Sequence, residues 1–350
     1  MISSDLEFYS DSINYILEVQ EEDGSIPWEA GEKLDPWDHI EATMGLSIAG
    51  KDIEAKAAFL WLSHNQLPDG SWYSEYRNSK PVTQRRETNF SAYIATGLWH
   101  YYLIYEDKDF LKKMLPTLMA SVKFVISMQT EKGDIFWAAE EGKEILDDSL
   151  ITGSSSIYKS LECALAIYKL FDEPADHIYH SMRALKDSIN NNPKRYDRSW
   201  ESKSRYSMDW YYPVLCGVYD KEKSLFQIKS KWSEFVIQGK GCKCVVEEPW
   251  VTVAESSELV AALVRIGQIS EAKDLFNSLH QWKDDDGLYW TGYVYTDKKF
   301  WPVEKPTWTA GAVLLAADAI YKFTPGSELF SKTWAQSSSC LLYTSPSPRD

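Results

Sequence analysis

The chain has no excess of positive charge. Its 37 Lys and Arg stand against 52 Asp and Glu, a net charge of −15 over 350 residues. A nucleic-acid groove or an anionic membrane surface is therefore not the expected partner. There is no apolar run long enough to span a bilayer, and residues 1–7 lack the basic start and apolar core of a secretory signal, so a cytoplasmic protein is expected. No stretch alternates apolar and polar residues for long enough to propose a central sheet. Short extended pieces around Tyr289–Thr296 and Lys243–Val246 are expected to be local hairpins at most. Cysteine is scarce, at five residues. Cys163 and Cys216 lie in apolar segments and read as small core residues. Cys242 and Cys244 have no histidine near them in sequence, so two reduced surface-loop thiols are expected rather than a metal site.

What the chain does have is a recurring phrase: a glutamine, a few polar residues, an acidic-glycine turn, then a tryptophan. It runs from Gln20 to Trp28, Gln66 to Trp72, Gln129 to Trp137 and Gln281 to Trp290, with degenerate copies ending at Trp200 and Trp250. Successive terminal tryptophans lie 44, 65, 63, 50 and 40 residues apart, the period of a repeated supersecondary unit. Each unit pairs an amphipathic helix with a second helix apolar nearly all round. Leu6, Tyr9, Ile13, Ile16 and Leu17 exemplify the first kind, and Thr307 to Ile320 the second. A helix apolar on all sides must be buried on all sides. Outer members are expected near Asp5, Ile53, Asp109, Glu173, Lys221 and Ile269, and inner members near Asp38, Thr88, Ser154, Met208, Val253 and Pro306. Six of each close into an all-α (α/α)6 toroid, a single unit over residues 1–323, with a partial extension at 324–339. The tail Cys340–Asp350 breaks the pattern, resembles translated sequencing adapter, and is set aside from fold reasoning.

The stretch from Lys56 to Trp72 resembles the glutamine-tryptophan repeat of squalene cyclases and protein prenyltransferase β-subunits, within the terpenoid cyclase-like toroid superfamily. Asp109 to Trp137 is similar to the helix-to-turn units of six-hairpin glycosidases. The resemblance implies the toroid and leaves the reaction open. An isoprenoid enzyme would need an Asp-rich motif or a zinc set inside the ring. Asp284, Asp285 and Asp286 belong to a repeat turn, expected outside it, and Cys163 and Cys216 lack histidine partners.

Chemistry belongs where the inner helices start, because all six starts share one rim. There the sequence sets carboxylates beside large aromatics. Asp38, Asp209 and Glu255 are the expected catalytic acids, converging on one pocket. Trp37, His39, Glu41, Glu87, Asn89, Tyr158, Lys159, Trp210, Trp250 and Trp308 are the expected substrate-binding residues. Thr88, Ser154 and Thr307 read as helix caps. A carboxyl pair with flat aromatic platforms suits a glycosidase-like enzyme acting on a soluble glycan, with no metal and no cofactor. A prenyltransferase- or cyclase-like enzyme, and a non-catalytic binding toroid, are the alternatives.

Overall fold

The computed structural model describes residues 4–140 and 145–334; the tail Cys340–Asp350 lies outside them. The amphipathic outer helices are α1 (Ser10–Val19), α3 (Asp52–Asn65), α6 (Lys108–Ser127), α8 (Asp176–Asn191), α10 (Lys221–Phe235) and α12 (Ile269–Leu279). The inner members are α2 (Pro36–Ile48), the pair α4 (Thr88–Ala92) and α5 (Ile94–Tyr105), α7 (Ile151–Leu170), α9 (Ser207–Leu215), α11 (Val253–Arg265) and α13 (Thr307–Tyr321). A short α14 (Glu328–Ser331) follows. Each inner helix packs on the next, and α13 packs on α2, so the ring closes as an (α/α)6 toroid.

The periodicity explains the layering. In α8, Ile178, Met182, Leu185 and Ile189 are buried at helical spacing on one face. In α13 nearly every residue from Thr307 to Ala319 is buried. The tightest inner contact, α13 on α2, depends on absent side chains: a Cβ on Gly311 would lie 2.7 Å from the Glu41 carbonyl oxygen. Among the described residues no helix is long and apolar enough to cross a membrane.

The repeated phrase stitches the outer ring sideways. The Gln66 side chain donates to the carbonyl of Gly70 in its own turn (2.9 Å) and to that of Thr117 in the next outer helix (2.8 Å). Gln20 does the same to Gly24 and Glu54, and Gln129 to Gly133 and Ser181. The turn glycine has φ +94° at Gly70, and a Cβ there would lie 2.1 Å from the Ala120 carbonyl oxygen. Gln281 instead donates to Gly239 and Ser278, and its turn glycine, Gly287, packs against the Asp11 side chain where the ring closes.

A second set of stitches holds the inner helix starts. The first amide of α4 donates to Trp137, that of α9 to Cys244, that of α11 to Thr291 and that of α13 to Trp28, each in the following unit's outer-to-inner connection. The hydroxyls expected as caps serve these stitches instead: Thr88 donates to Phe136 and Trp137, and Thr307 to Pro27. Ser154 lies inside α7 and caps nothing.

These outer-to-inner connections carry three antiparallel sheets of strands two to four residues long. The two expected hairpins are real but joined. Val236–Ile237, Gly241–Lys243, Trp250–Thr252, Gly292–Val294 and Lys299–Phe300 form one five-stranded sheet. Strands this short cannot display an alternating pattern, which is why the sequence shows only isolated pieces. All these connections lie at one end, the mouth. The other end is covered by residues 325–334: Arg265 donates to the Phe330 carbonyl, and Trp334 meets Trp99 edge-on at 5.3 Å.

Two substitutions test the stitching. Gln66→Ala removes two hydrogen bonds to backbone carbonyls and is expected to cost about 1–3 kcal/mol. Gly70→Ala is expected to cost about 2–5 kcal/mol, because a positive φ and a backbone clash act together. Urea denaturation measures both, and a Gly70→Ala protein as stable as the parent would contradict this account.

Candidate active site

Two inner helices, α2 and α11, each carry a pair of acids one turn apart. Asp38 and Glu41 lie on α2, Glu255 and Glu258 on α11, and the i,i+3 spacing puts each pair on one face. The two helices flank α13. Asp38 and Glu255 lie in the first turns, toward the mouth; Glu41 and Glu258 lie one turn deeper.

The deeper pair is held by aromatic donors. Glu41 is 2% exposed and accepts from the indole of Trp37 (3.1 Å), the hydroxyl of Tyr93 (2.7 Å) and the indole of Trp308 (2.8 Å). Burial outweighs these three bonds and pushes its carboxyl up to about 7. Glu258 accepts from the hydroxyls of Tyr211 and Tyr212. Burial, then the nearby Glu41, hold it well above the usual carboxylate range. Tyr212 links the two acids, since its ring also lies 5.6 Å from that of Trp37. Trp37 in turn stacks on Tyr93 at 4.7 Å.

Asp38 lies above this floor. The amide of Asp38 donates to the Asp35 carboxylate (2.9 Å), which caps α2. The helix N-terminus favours an ionised Asp38 by only about 0.3–1 kcal/mol, less than one pKa unit. Burial and the adjacent Asp35 prevail and raise its carboxyl well above the usual range. Asp38 is thus a half-buried acid whose carboxyl holds its proton more tightly than usual beside a second carboxyl. Glu255 is buried at the start of α11, near Glu258 and the Cys244 thiol.

The remaining expected residues divide. Trp37, Asp38, Glu41 and Trp308 come together, and Glu255 joins the same two-helix frame. Glu87 lies near Asp35 and pairs with Arg85 at 2.8 Å; burial raises its carboxyl. Asn89 is buried at the start of α4, against Gly153 of α7. Asp209 accepts from the Thr152 amide (3.2 Å) and hydroxyl (2.6 Å), fastening α9 to the start of α7. Burial raises its carboxyl to about 6.

Other expected residues lie elsewhere. Trp210 turns outward, stacks on Phe235 of α10 at 5.1 Å and donates to the Gln227 carbonyl, because the wall of the ring needs a large apolar group there. Trp250 sits in the five-stranded sheet and donates to the Trp301 carbonyl. His39 has both ring nitrogens on backbone groups, accepting from the Ile26 amide and donating to the Ala58 carbonyl; burial pushes its titration down to about 4. Tyr158 lies beside Lys186 of outer helix α8. Lys159 is deep in the ring, paired with Glu162 at 2.7 Å and donating to Lys332 near the covered end. Periodicity marks Trp210, His39, Tyr158 and Lys159 as inner-helix members but does not give their rotation about the axis.

Glu258, Tyr93, Tyr211 and Tyr212 are the functional candidates the sequence reading missed. The signal for Glu258 was its spacing from Glu255, matching that of Glu41 from Asp38. Among the described residues no group of three or more His, Cys, Asp or Glu is placed to hold a metal ion. Asp284 builds its turn by accepting from the amides of Asp286 and Leu288.

No family model matches the sequence. The chain is 42% identical over 315 residues to an MMP endo-(1,4)-3-O-methyl-alpha-D-mannosidase of Mycolicibacterium hassiacum, covering 90% of this chain and 86% of that protein. Among solved structures it is similar to a glycosidase in complex with glucose, with a TM-score of 0.73 and 11% identity over 92% of this chain and 98% of that one. A mannosylglycerate hydrolase from Thermus thermophilus, in complex with Tris and D-glycerate, gives 0.67 and 12% over 88% and 99%. The two structures show the fold. The glycosidase side of the sequence resemblance is the one these relatives support; the isoprenoid reading finds no support in them.

The buried acids predict a pH dependence. Glu41 has an ordinary value of 4.5 and a folded value of about 7, so the folded state binds its proton more tightly than the unfolded state. Its contribution to stability is full below about 4.5 and is lost as pH rises through about 7, at up to about 1.4 kcal/mol per pH unit. Glu41→Gln is expected to shallow that slope, whatever its constant offset. Urea titrations at several pH values measure it, and an unchanged slope would show that Glu41 is not the titrating group. With its paired acids, aromatic floor and relatives taken together, the chain belongs to the family of the Mycolicibacterium endo-mannosidase, and is a glycosidase-like hydrolase on an (α/α)6 toroid.

Proposed function

We propose that the enzyme cleaves internal (1,4) linkages in an α-linked polymer of 3-O-methyl-D-mannose, the substrate class in the name of its 42% identical relative. Asp38 is the proton donor and Glu255 the carboxylate base. The observation that carries the assignment is the matched pair of acid ladders on α2 and α11, with the Asp38 carboxyl raised by desolvation and the adjacent Asp35. A protonated carboxyl near neutral pH is what a leaving glycosidic oxygen needs.

Asp38 gives its proton to the glycosidic oxygen as the bond from C1 to that oxygen breaks. Glu255 takes a proton from the water that bonds to C1. Glu41 and Glu258 form the floor with Trp37, Trp308 and the tyrosines, and the flat indoles offer apolar faces to sugar C–H and O-methyl groups. Asp209 holds the start of α7, so its replacement acts mainly on the rim's geometry. Glu87 and Asn89 lie where sugar hydroxyls would meet the rim.

The test is turnover of the methylated polymer, followed by mass spectrometry of the products. The wild type is expected to release oligomers rather than single sugars. Asp38→Asn and Glu255→Gln are expected to lower kcat by ~10²–10⁴-fold with the fold intact. Asp209→Asn is expected to lose less than either. Full turnover in both Asp38→Asn and Glu255→Gln would remove the assignment.

A further inference from the structure

The tryptophan expected in the pocket, Trp250, opens a different feature. It lies in a groove of about 560 Å³ on the five-stranded sheet, with Trp301, Pro249, Val294, Thr296 and Lys299 among its lining. Trp301 is 52% exposed, its ring 5.0 Å from that of Trp250 and nearly perpendicular to it. The indole of Trp250 donates to the Trp301 carbonyl, and the Trp301 amide donates to the Gly292 carbonyl, so both rings are carried on a fixed backbone. Neither tryptophan is absorbed into the core, and both sit where water would otherwise wet them. Polar groups rim the groove, including Glu248, Thr296, Asp297 and Lys299.

A single strand joins this groove to the helix that carries Glu255. The strand Trp250–Thr252 runs directly into α11, whose first turn carries Glu255. At about 3.3 Å per strand residue, the groove begins roughly 10 Å from the helix start. A polymer chain threaded past Glu255 would therefore reach Trp250 and Trp301 within a few sugar units.

We propose that the Trp250–Trp301 groove is a remote subsite that holds the distal sugars of a long methylated glycan while another part of the chain is cleaved. The proposal rests on the functional reading above. The chemistry of the groove matches that ligand. Flat indole surface takes the apolar faces of the rings, and an O-methyl group adds apolar area while removing a hydroxyl donor. The charged and hydroxyl groups at the edge take the remaining hydroxyls. An exposed aromatic patch also suits contact between two copies of the chain, and the test separates the two.

The experiment compares kcat/KM on a long methylated polymer with that on the shortest oligomer the enzyme cleaves, for wild type, Trp301→Ala and Trp301→Phe. The ratio of polymer to oligomer is expected to fall about tenfold in Trp301→Ala, the scale of one lost aromatic anchor. Trp301→Phe, which keeps a flat ring, is expected to recover most of it. A ratio unchanged in Trp301→Ala, while the wild type cleaves both substrates, overturns this inference alone. So does a sedimentation shift from dimer to monomer in Trp301→Ala without a change in the ratio, which would mark a self-association patch. A wild type that cleaves neither substrate overturns the functional reading along with it.

Discussion

The sideways hydrogen bond from a repeat glutamine to the next outer helix is the contact on which the ring depends. An amphipathic helical hairpin cannot bury its own apolar helix, so each unit needs its neighbour. The glutamine fixes the spacing between successive outer helices, and a glycine lets the turn press directly on the neighbour's backbone. The inner ring has its own version, in which the starts of α4, α9, α11 and α13 donate into the following connection. Both sets of stitches run around the ring in the same sense, so the rim's geometry is a property of the closed ring rather than of any one hairpin.

That rim sets up the chemistry. Closing six apolar helices leaves a narrow, dry interior, and a carboxyl placed there is costly to ionise. Glu41 and Glu258 answer this with aromatic hydrogen-bond donors and raised pKa values. Asp38, one turn higher, has a second carboxyl beside it, which together with desolvation raises its carboxyl well above the usual range. The same desolvation that makes these residues poor contributors to stability suits Asp38 to the proton-donor role proposed for it. Asp209 is half-buried, and its carboxylate is occupied by Thr152.

The fold was legible in the sequence because its determinants are local and repeated. Glutamine, turn and apolar helix recur at a readable period, and they fix both the architecture and the end of the ring at which the inner helices start. The site was legible only in part. Asp38, Glu41, Glu255, Trp37 and Trp308 could be placed from their positions at helix starts. Trp210 and Lys159 could not, because a helix apolar all round gives no clue to which side faces the lumen, and Trp250 lies in a strand too short to show a pattern. Trp210 turned out toward Phe235, and Lys159 lies too deep, near the covered end. Glu258 lies one turn inside α11, beyond the helix start, although its spacing from Glu255 is the same as that of Glu41 from Asp38.

The division of labour between Asp38 and Glu255 is the central claim, and the leaving group tests it most directly. Turnover should be compared on the natural glycan and on an oligomer with a nitrophenolate leaving group, which departs without protonation. The account predicts that Asp38→Asn loses most of its activity on the glycan but far less on the activated oligomer, while Glu255→Gln loses comparably on both. Equal losses for Asp38→Asn on the two substrates would contradict its role as the proton donor.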